Sequence, residues 1–256
     1  MNKRMVALAL ALCLPVLAGC FDVEQAMTLQ KDLSGKAAFS MTVNMEPMVL
    51  FMVRMQREME GKTGEPTAAE IDKAKKDFLA QKNEKKEDPK AQEEEVKKNL
   101  PAGIKLLESS IKEDGLKIAV RFVFGFDHIS KLANLHLSDK DGEQPGSKNP
   151  FDEPFAGLQL KDEGSTLLLT TKAINPAAEQ KSQAEGMDLT PEMKKQMEDA
   201  FKGLRVAFKI DAPFEVLEHN ATRKEGKTLI WEYDLKTMDK MTPEQLSQGV
   251  RVRFKK

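Results

Sequence analysis

The sequence LKIAVRFVFGF at residues 116–126 decides the fold. Its even-numbered positions, from Leu116 to Phe126, are all large and apolar, whereas Lys117 and Arg121 occupy odd-numbered positions. Successive side chains of a β-strand point to opposite sides of a sheet, so this period of two predicts a strand with one buried and one solvated face. Sheets with one solvated face are mostly antiparallel.

The same alternation recurs at residues 39–45, 204–210, 229–235 and 250–254. Glycine adopts the positive φ that a tight reversal requires, and a charged pair followed by glycine marks three hairpin turns: Glu113-Asp114-Gly115, Asp162-Glu163-Gly164 and Lys224-Glu225-Gly226. A fourth hairpin is predicted within residues 21–45. These patterns predict a mainly antiparallel sheet built from hairpins.

Helices are predicted to cover one face of that sheet. Residues 47–59 form the first, and Thr67 with Glu70 is a capping box that opens a second. Residues 82–98 hold as many lysines as acidic residues and belong to a charged helical insertion at about residues 60–100. Further helices are predicted to begin at Thr190 and Thr242, and residues 138–154 form a loop. The predicted fold class is α+β, with residues 21–256 as a single domain.

The N-terminus has the features of an export signal. Lys3 and Arg4 precede an apolar run at residues 5–18, which is too short to span a bilayer. The run ends in Leu17-Ala18-Gly19-Cys20, which resembles the lipobox of bacterial lipoproteins. The resemblance implies removal of residues 1–19 and acylation of Cys20, and two or three acyl chains anchor a protein stably. The alternative is an ordinary secretory signal.

The resemblance also implies a cellular location. Phe21, rather than Asp, follows the cysteine, and under the sorting rule of enteric bacteria this favours the periplasmic face of the outer membrane, with the cytoplasmic membrane left open. Strand-like sequence begins almost directly after Cys20, so the folded body is expected to sit close to the membrane. Once Cys13 is removed and Cys20 is acylated, no thiol remains for a disulfide.

Composition and motifs exclude several functions. The 256 residues carry a net charge of −1 and include one Trp and one Tyr, which argues against a nucleic-acid partner. His128, His136 and His219 stand outside any metal-ligand spacing, and Asp139-Lys140-Asp141-Gly142 lacks the spacing of a calcium loop. Nucleophile and phosphate-binding motifs are absent, so we expect no enzyme, metal or cofactor. A hydrolase would need His128 or His219 beside a serine or carboxylate in a cleft.

Methionines recur with spacings of 4, 3, 4, 3 and 4 at Met41, Met45, Met48, Met52, Met55 and Met59. From Met48 onward this spacing produces one stripe on a helix. The stripe is either a core face or a surface for a hydrophobic ligand, with Met48, Phe51, Met52 and Met55 as contacts. A copper(I) thioether site is the third alternative.

The last strand carries the cations Arg251, Arg253, Lys255 and Lys256 on its outward face. They are predicted either to contact anionic headgroups at the membrane surface or to protect an edge strand from aggregation.

A second resemblance concerns APFEVLEHNA at residues 212–221 and GKTLIWEY at residues 226–233, which are similar to a signature of the LppM-like bacterial lipoproteins. It implies a lipid-associated α+β envelope domain without an assigned enzyme activity. The chain is expected to depart from that family in carrying the long charged insertion near residues 60–100 and no C-terminal membrane helix. Asn220 and Trp231 are interpreted as a polar residue at a turn and a core anchor across a hairpin.

The sequence therefore predicts a membrane-anchored, extracytoplasmic lipoprotein that is not an enzyme and binds a lipid-like ligand at the membrane surface. The alternative is a structural or assembly lipoprotein that docks another envelope protein through its sheet edge or its charged segment. A cavity under the Met48 helix would favour the first, and an exposed apolar patch would favour the second.

Overall fold

A computed structural model describes residues 21–84, 88–137, 154–171, 195–196, 198–199, 201–238, 240–242, 244–245 and 248–256. Several sequence predictions lie outside these residues: the signal peptide, Cys20, the calcium-like sequence at residues 139–142, most of the predicted loop, and the start of the helix at Thr190.

The described residues form eleven strands in two sheets. In chain order the strands are β1 (Phe21–Leu29), β2 (Gly35–Asn44), β3 (Ile104–Asp114), β4 (Lys117–Phe126), β5 (Gln159–Asp162), β6 (Thr166–Thr170), β7 (Leu204–Asp211), β8 (Glu215–His219), β9 (Arg223–Glu225), β10 (Thr228–Asp234) and β11 (Arg251–Lys255). The large sheet has the order β3-β4-β2-β1-β7-β10-β9, and the small sheet has the order β5-β6-β11-β8. Neighbouring strands pair antiparallel except β1 and β7, which run parallel.

All four predicted hairpins are confirmed: β1 with β2, β3 with β4, β5 with β6, and β9 with β10. Gly115, Gly164 and Gly226 have φ values of 57°, 83° and 59°, which side chains with a Cβ rarely adopt. The first hairpin instead turns through Leu33 at a φ of 67°, and Asp32 stabilises that turn by accepting a hydrogen bond from the backbone of Ser34.

The predicted α+β class is confirmed, and the layer on the inner face of the large sheet includes a second sheet as well as a helix. Buried residues of the large and the small sheet form one cluster. That cluster includes Phe122, Phe124, Phe208, Trp231, Leu167, Leu169, Val252 and Phe254. Alternation reveals that a strand has a buried face but not which sheet it joins, so the second layer could not be recognised from the sequence.

The helices whose full bounds the structure describes are α1 (Glu46–Met59), α2 (Ala68–Glu84), α3 (Pro89–Lys98) and the short α4 (Leu235–Met238), with a 3-10 helix at Ile129–Asn134. The helix predicted at residues 47–59 is confirmed as α1. The capping box is also confirmed, because the backbone N–H of Thr67 donates to Glu70 and that of Glu70 donates to Thr67 Oγ1. Helix α3 packs on β3 and contributes Val96 to the core.

One end of the large sheet brings several elements together. Phe21 pairs with Val43 and Leu204, and Val43 pairs with Ile118; we call this row the Phe21 end. Helix α1 starts directly beyond it, because Asn44 ends β2 and its side chain accepts a hydrogen bond from the backbone N–H of Glu46. The first residue after Cys20 and the start of α1 therefore lie at the same end of the sheet.

Candidate functional site

Helices α1 and α2 form an antiparallel hairpin held by ion pairs. Arg54 contacts Glu65 at 2.7 Å, Arg57 contacts Glu70 at 2.6 Å, and Glu46 pairs with Lys75. Val49 and Val53 are the buried residues of α1, at 1 % and 8 % exposure. They belong to neither of the two buried clusters that centre on the sheets. The hairpin therefore has an inner side of its own, to which α1 contributes valines rather than methionines.

The predicted ligand-contact residues lie on the other side of α1. At about 100° per residue, five side chains fall within a sector of about 100° that points nearly opposite Glu46 and Arg57. These are Met48, Phe51, Met52, Met55 and Met59, which we call the methionine face. Met59 is 82 % exposed, Met52 is 39 % exposed, and the other three are partly exposed.

The interpretation of this stripe as a core face is wrong. The first two turns of α1 are apolar nearly all round, so the sequence could not show which side packs. The β-branched Val49 and Val53 take the buried positions and leave the long thioethers outside. The sequence prediction brought Met48, Phe51, Met52 and Met55 together, as the structure does, but it left out Met59, which the same spacing indicates.

The C-terminal cations lie on a central strand. β11 lies between β6 and β8, so the interpretation of these cations as edge-strand protection is wrong. Arg253 contacts Glu163 at 3.4 Å and Glu218 at 3.7 Å, and Lys255 contacts Glu215 at 3.2 Å. The paired acids reduce the attraction that these cations would have for anionic headgroups.

The end of this strand is also paired. Lys256 pairs with Asp162, and this hydrogen bond holds the pKa of that carboxyl below its ordinary value. Arg251, at the start of β11, is exposed. A membrane role for Arg251, Arg253, Lys255 and Lys256 stays a prediction.

Asn220 links the two sheets. Its side-chain oxygen accepts hydrogen bonds from Trp231 Nε1 at 2.7 Å and from the backbone N–H of Arg251 at 2.8 Å. Its amide nitrogen donates to the backbone oxygen of Gly249 at 2.9 Å. The interpretation of Trp231 as a core anchor is confirmed, since its side chain is fully buried. Its hydrogen bond to Asn220 also connects β10 of the large sheet to β11 of the small sheet. This is a structural pair.

Two of the three histidines cap local structure. His128 Nδ1 accepts a hydrogen bond from the backbone of Ser130 at the start of the 3-10 helix, and His219 Nδ1 accepts one from the backbone of Ala221. Within the described ranges, no group of three or more His, Cys, Asp or Glu side chains has the geometry to hold a metal ion.

The solvated face of the large sheet carries a charged network between β1 and β7. Arg205 contacts Asp22 at 2.9 Å and Glu24 at 3.3 Å, and Lys209 contacts Glu24 at 2.7 Å. Partial burial alone would raise the pKa of Glu24, but the hydrogen bonds and charges of Lys209 and Arg205 together outweigh it and lower that pKa. The network ties together the two strands that pair in parallel.

Acid is therefore expected to weaken the fold through Glu24. A carboxylate whose pKa is lower in the folded state contributes stability that is complete above the unfolded pKa and is lost as the pH falls through the folded one. The melting temperature should fall more steeply below about pH 4.3 in the wild type than in Glu24→Gln. Thermal melts from pH 7 to pH 3 measure this, with the exposed Glu58→Gln as control. Equal slopes in wild type and Glu24→Gln would contradict the expectation.

Among the described residues, no helix combines the length and the apolar character that crossing a bilayer requires. The chain matches no protein-family model and no curated protein. Among solved structures, the NMR structure of the folded domain of LppM from Mycobacterium tuberculosis matches with 11 % sequence identity and a TM-score of 0.44, covering 93 % of this chain and 90 % of that one. Similarity at this level carries no inference about function.

Proposed function

We propose that this protein is a lipoprotein of the cell envelope, held at a membrane surface by acyl chains on Cys20. It interacts with lipid there and catalyses no reaction. The observation that carries the proposal is the Phe21 end of the large sheet. The strand that follows Cys20 begins at this end without a spacer, and α1 with its exposed methionine face starts there as well.

The compartment follows from the same anchor. A chain exported by residues 1–19 and acylated at Cys20 is membrane-anchored and extracytoplasmic, and Phe21 favours the periplasmic face of the outer membrane in a cell with two membranes. The alternative role is docking of another envelope protein. It is favoured by the methionine face, which is an exposed apolar patch, and by the exposed charged surface of α2 and α3.

Cys20→Ser is expected to abolish incorporation of radioactive palmitate and to leave the precursor uncleaved, because the thiol is the acceptor of the diacylglyceryl group. The chain supplies its own matched control, since Cys13 lies in the segment that is removed. Cys13→Ser should label and mature like the wild type. Gel mobility, palmitate labelling and membrane fractionation of the three proteins measure the outcome. Labelling that survives in Cys20→Ser would refute the lipoprotein proposal.

A further inference from the structure

The methionine face has the composition of a helix surface that lies in a membrane interface. It is free of charge across a sector of about 100°, and Glu46 of the same helix lies on the opposite side. Arg54 and Arg57 are engaged by acids of the loop and α2, so the hairpin's inner charges are already paired. Methionine is unbranched and flexible, which suits contact with fluid acyl chains of varied shape.

The position of the methionine face beside the Phe21 end indicates which partner contacts it. Cys20 is bonded to Phe21, which pairs with Val43, and α1 begins three residues after Val43. An acyl anchor on Cys20 therefore brings the start of α1 to the membrane surface. A ligand enclosed on the inner side of α1 would meet Val49 and Val53, not the methionines.

We infer that the methionine face of α1 enters the headgroup region of the bilayer to which Cys20 is anchored; this rests on the proposed function. The protein then contacts its membrane at two places, the acyl chains and one helix, so the sheet is held in a fixed orientation. The partner of the face is the bilayer surface, not a single bound ligand. In this orientation, the turn between β1 and β2 points away from the membrane, about 26 Å from the Phe21 end along β1.

The test labels a single introduced cysteine, because the mature protein is expected to have no other free thiol. With Cys13 removed and Cys20 acylated, a cysteine introduced at position 52 is the one free thiol of the mature protein. We would prepare mature, lipidated Met52→Cys and Lys31→Cys and label each with a polarity-sensitive fluorophore. Both proteins would be reconstituted in vesicles of phosphatidylethanolamine and phosphatidylglycerol. Lys31 is the matched control because it is exposed and lies in the turn between β1 and β2.

The expected result is a blue-shifted emission at position 52 and not at position 31. A quencher attached to lipid should reduce the fluorescence at position 52 at least about threefold more than at position 31, since interfacial helices lie only 5–10 Å deep. Met59→Cys, at a position that is 82 % exposed, should behave like Met52→Cys and guards against a folding defect at position 52.

Two results would overturn the inference while Cys20 stays acylated. Equal quenching at positions 52 and 31 would mean that the methionine face stays in water. Protection at position 52 from both the lipid quencher and aqueous iodide would mean that a protein covers the face. A wild-type protein that takes up the thiol probe at Cys20 would instead refute the proposed function itself, so the two failures are distinguishable.

Discussion

Replacement of Trp231 by alanine is expected to lower the free energy of unfolding by about 4 kcal/mol. The indole is fully buried and packs edge-on against Phe208, with ring centroids 6.0 Å apart. Its removal leaves a cavity in the core between the two sheets. It also removes one of the two donors to the side-chain oxygen of Asn220, so the link from β10 to β11 is weakened together with the packing.

Circular dichroism during urea denaturation measures this effect, because Trp231 is the only tryptophan and its fluorescence disappears with it. Trp231→Phe separates packing from hydrogen bonding. The phenyl ring keeps most of the apolar volume but cannot donate to Asn220, so the expected loss is about 2 kcal/mol. A loss below about 1 kcal/mol in Trp231→Ala would contradict the central position of this side chain.

Gly35→Ala is expected to cost about 3 kcal/mol, at the upper end of what overpacking usually costs. A Cβ at this position would overlap the backbone oxygen of Thr28 and would lie 3.0 Å from the ring of Phe126. Thr28 belongs to the paired strand β1, so its oxygen cannot move aside alone. The hairpin of β1 and β2 would have to shift to accept a single methyl group.

Gly125→Ala is the matched control in the same sheet. A Cβ there first meets Leu107 Cδ1 at 3.3 Å, the end of a side chain that is 52 % exposed and free to rotate. This substitution should change stability by less than about 1 kcal/mol in either direction. Urea midpoints of the two variants, measured side by side, check the difference. Similar midpoints would show that strand glycines matter here for a reason other than local overlap.

The sequence predicted those parts of the fold that depend on local chemistry. Hairpins were found because a turn glycine such as Gly115 and the alternating strands beside it lie within about twenty residues of one another. Pairing of distant strands leaves no such local signal. The contact of Asp22 with Arg205 joins residues 183 apart, and alternation gives the face of a side chain but not the strand that will lie beside it.

The candidate site was predictable to the same extent. Methionine spacing gave the helix and the stripe, because both follow from 3.6 residues per turn. Whether the stripe packs or faces outward depends on the competition of Val49 and Val53 for the inner side, which only the tertiary structure decides. The ion pairs of Arg253 could not be predicted from the sequence either. They depend on the register of β11 against β8 and on the nearby Glu163.

The parallel pairing of β1 with β7 delays the completion of the large sheet during folding. β1 can pair with β2 once residues up to 44 are available for folding, but its other edge waits for residues 204–211. At 5–20 residues per second, synthesis of the chain between residue 44 and residue 211 takes about 8 to 33 s. Throughout this time the growing chain presents an unpaired strand edge, which invites pairing with other chains. The nascent protein is therefore most in need of a chaperone at β1, the strand that directly follows Cys20.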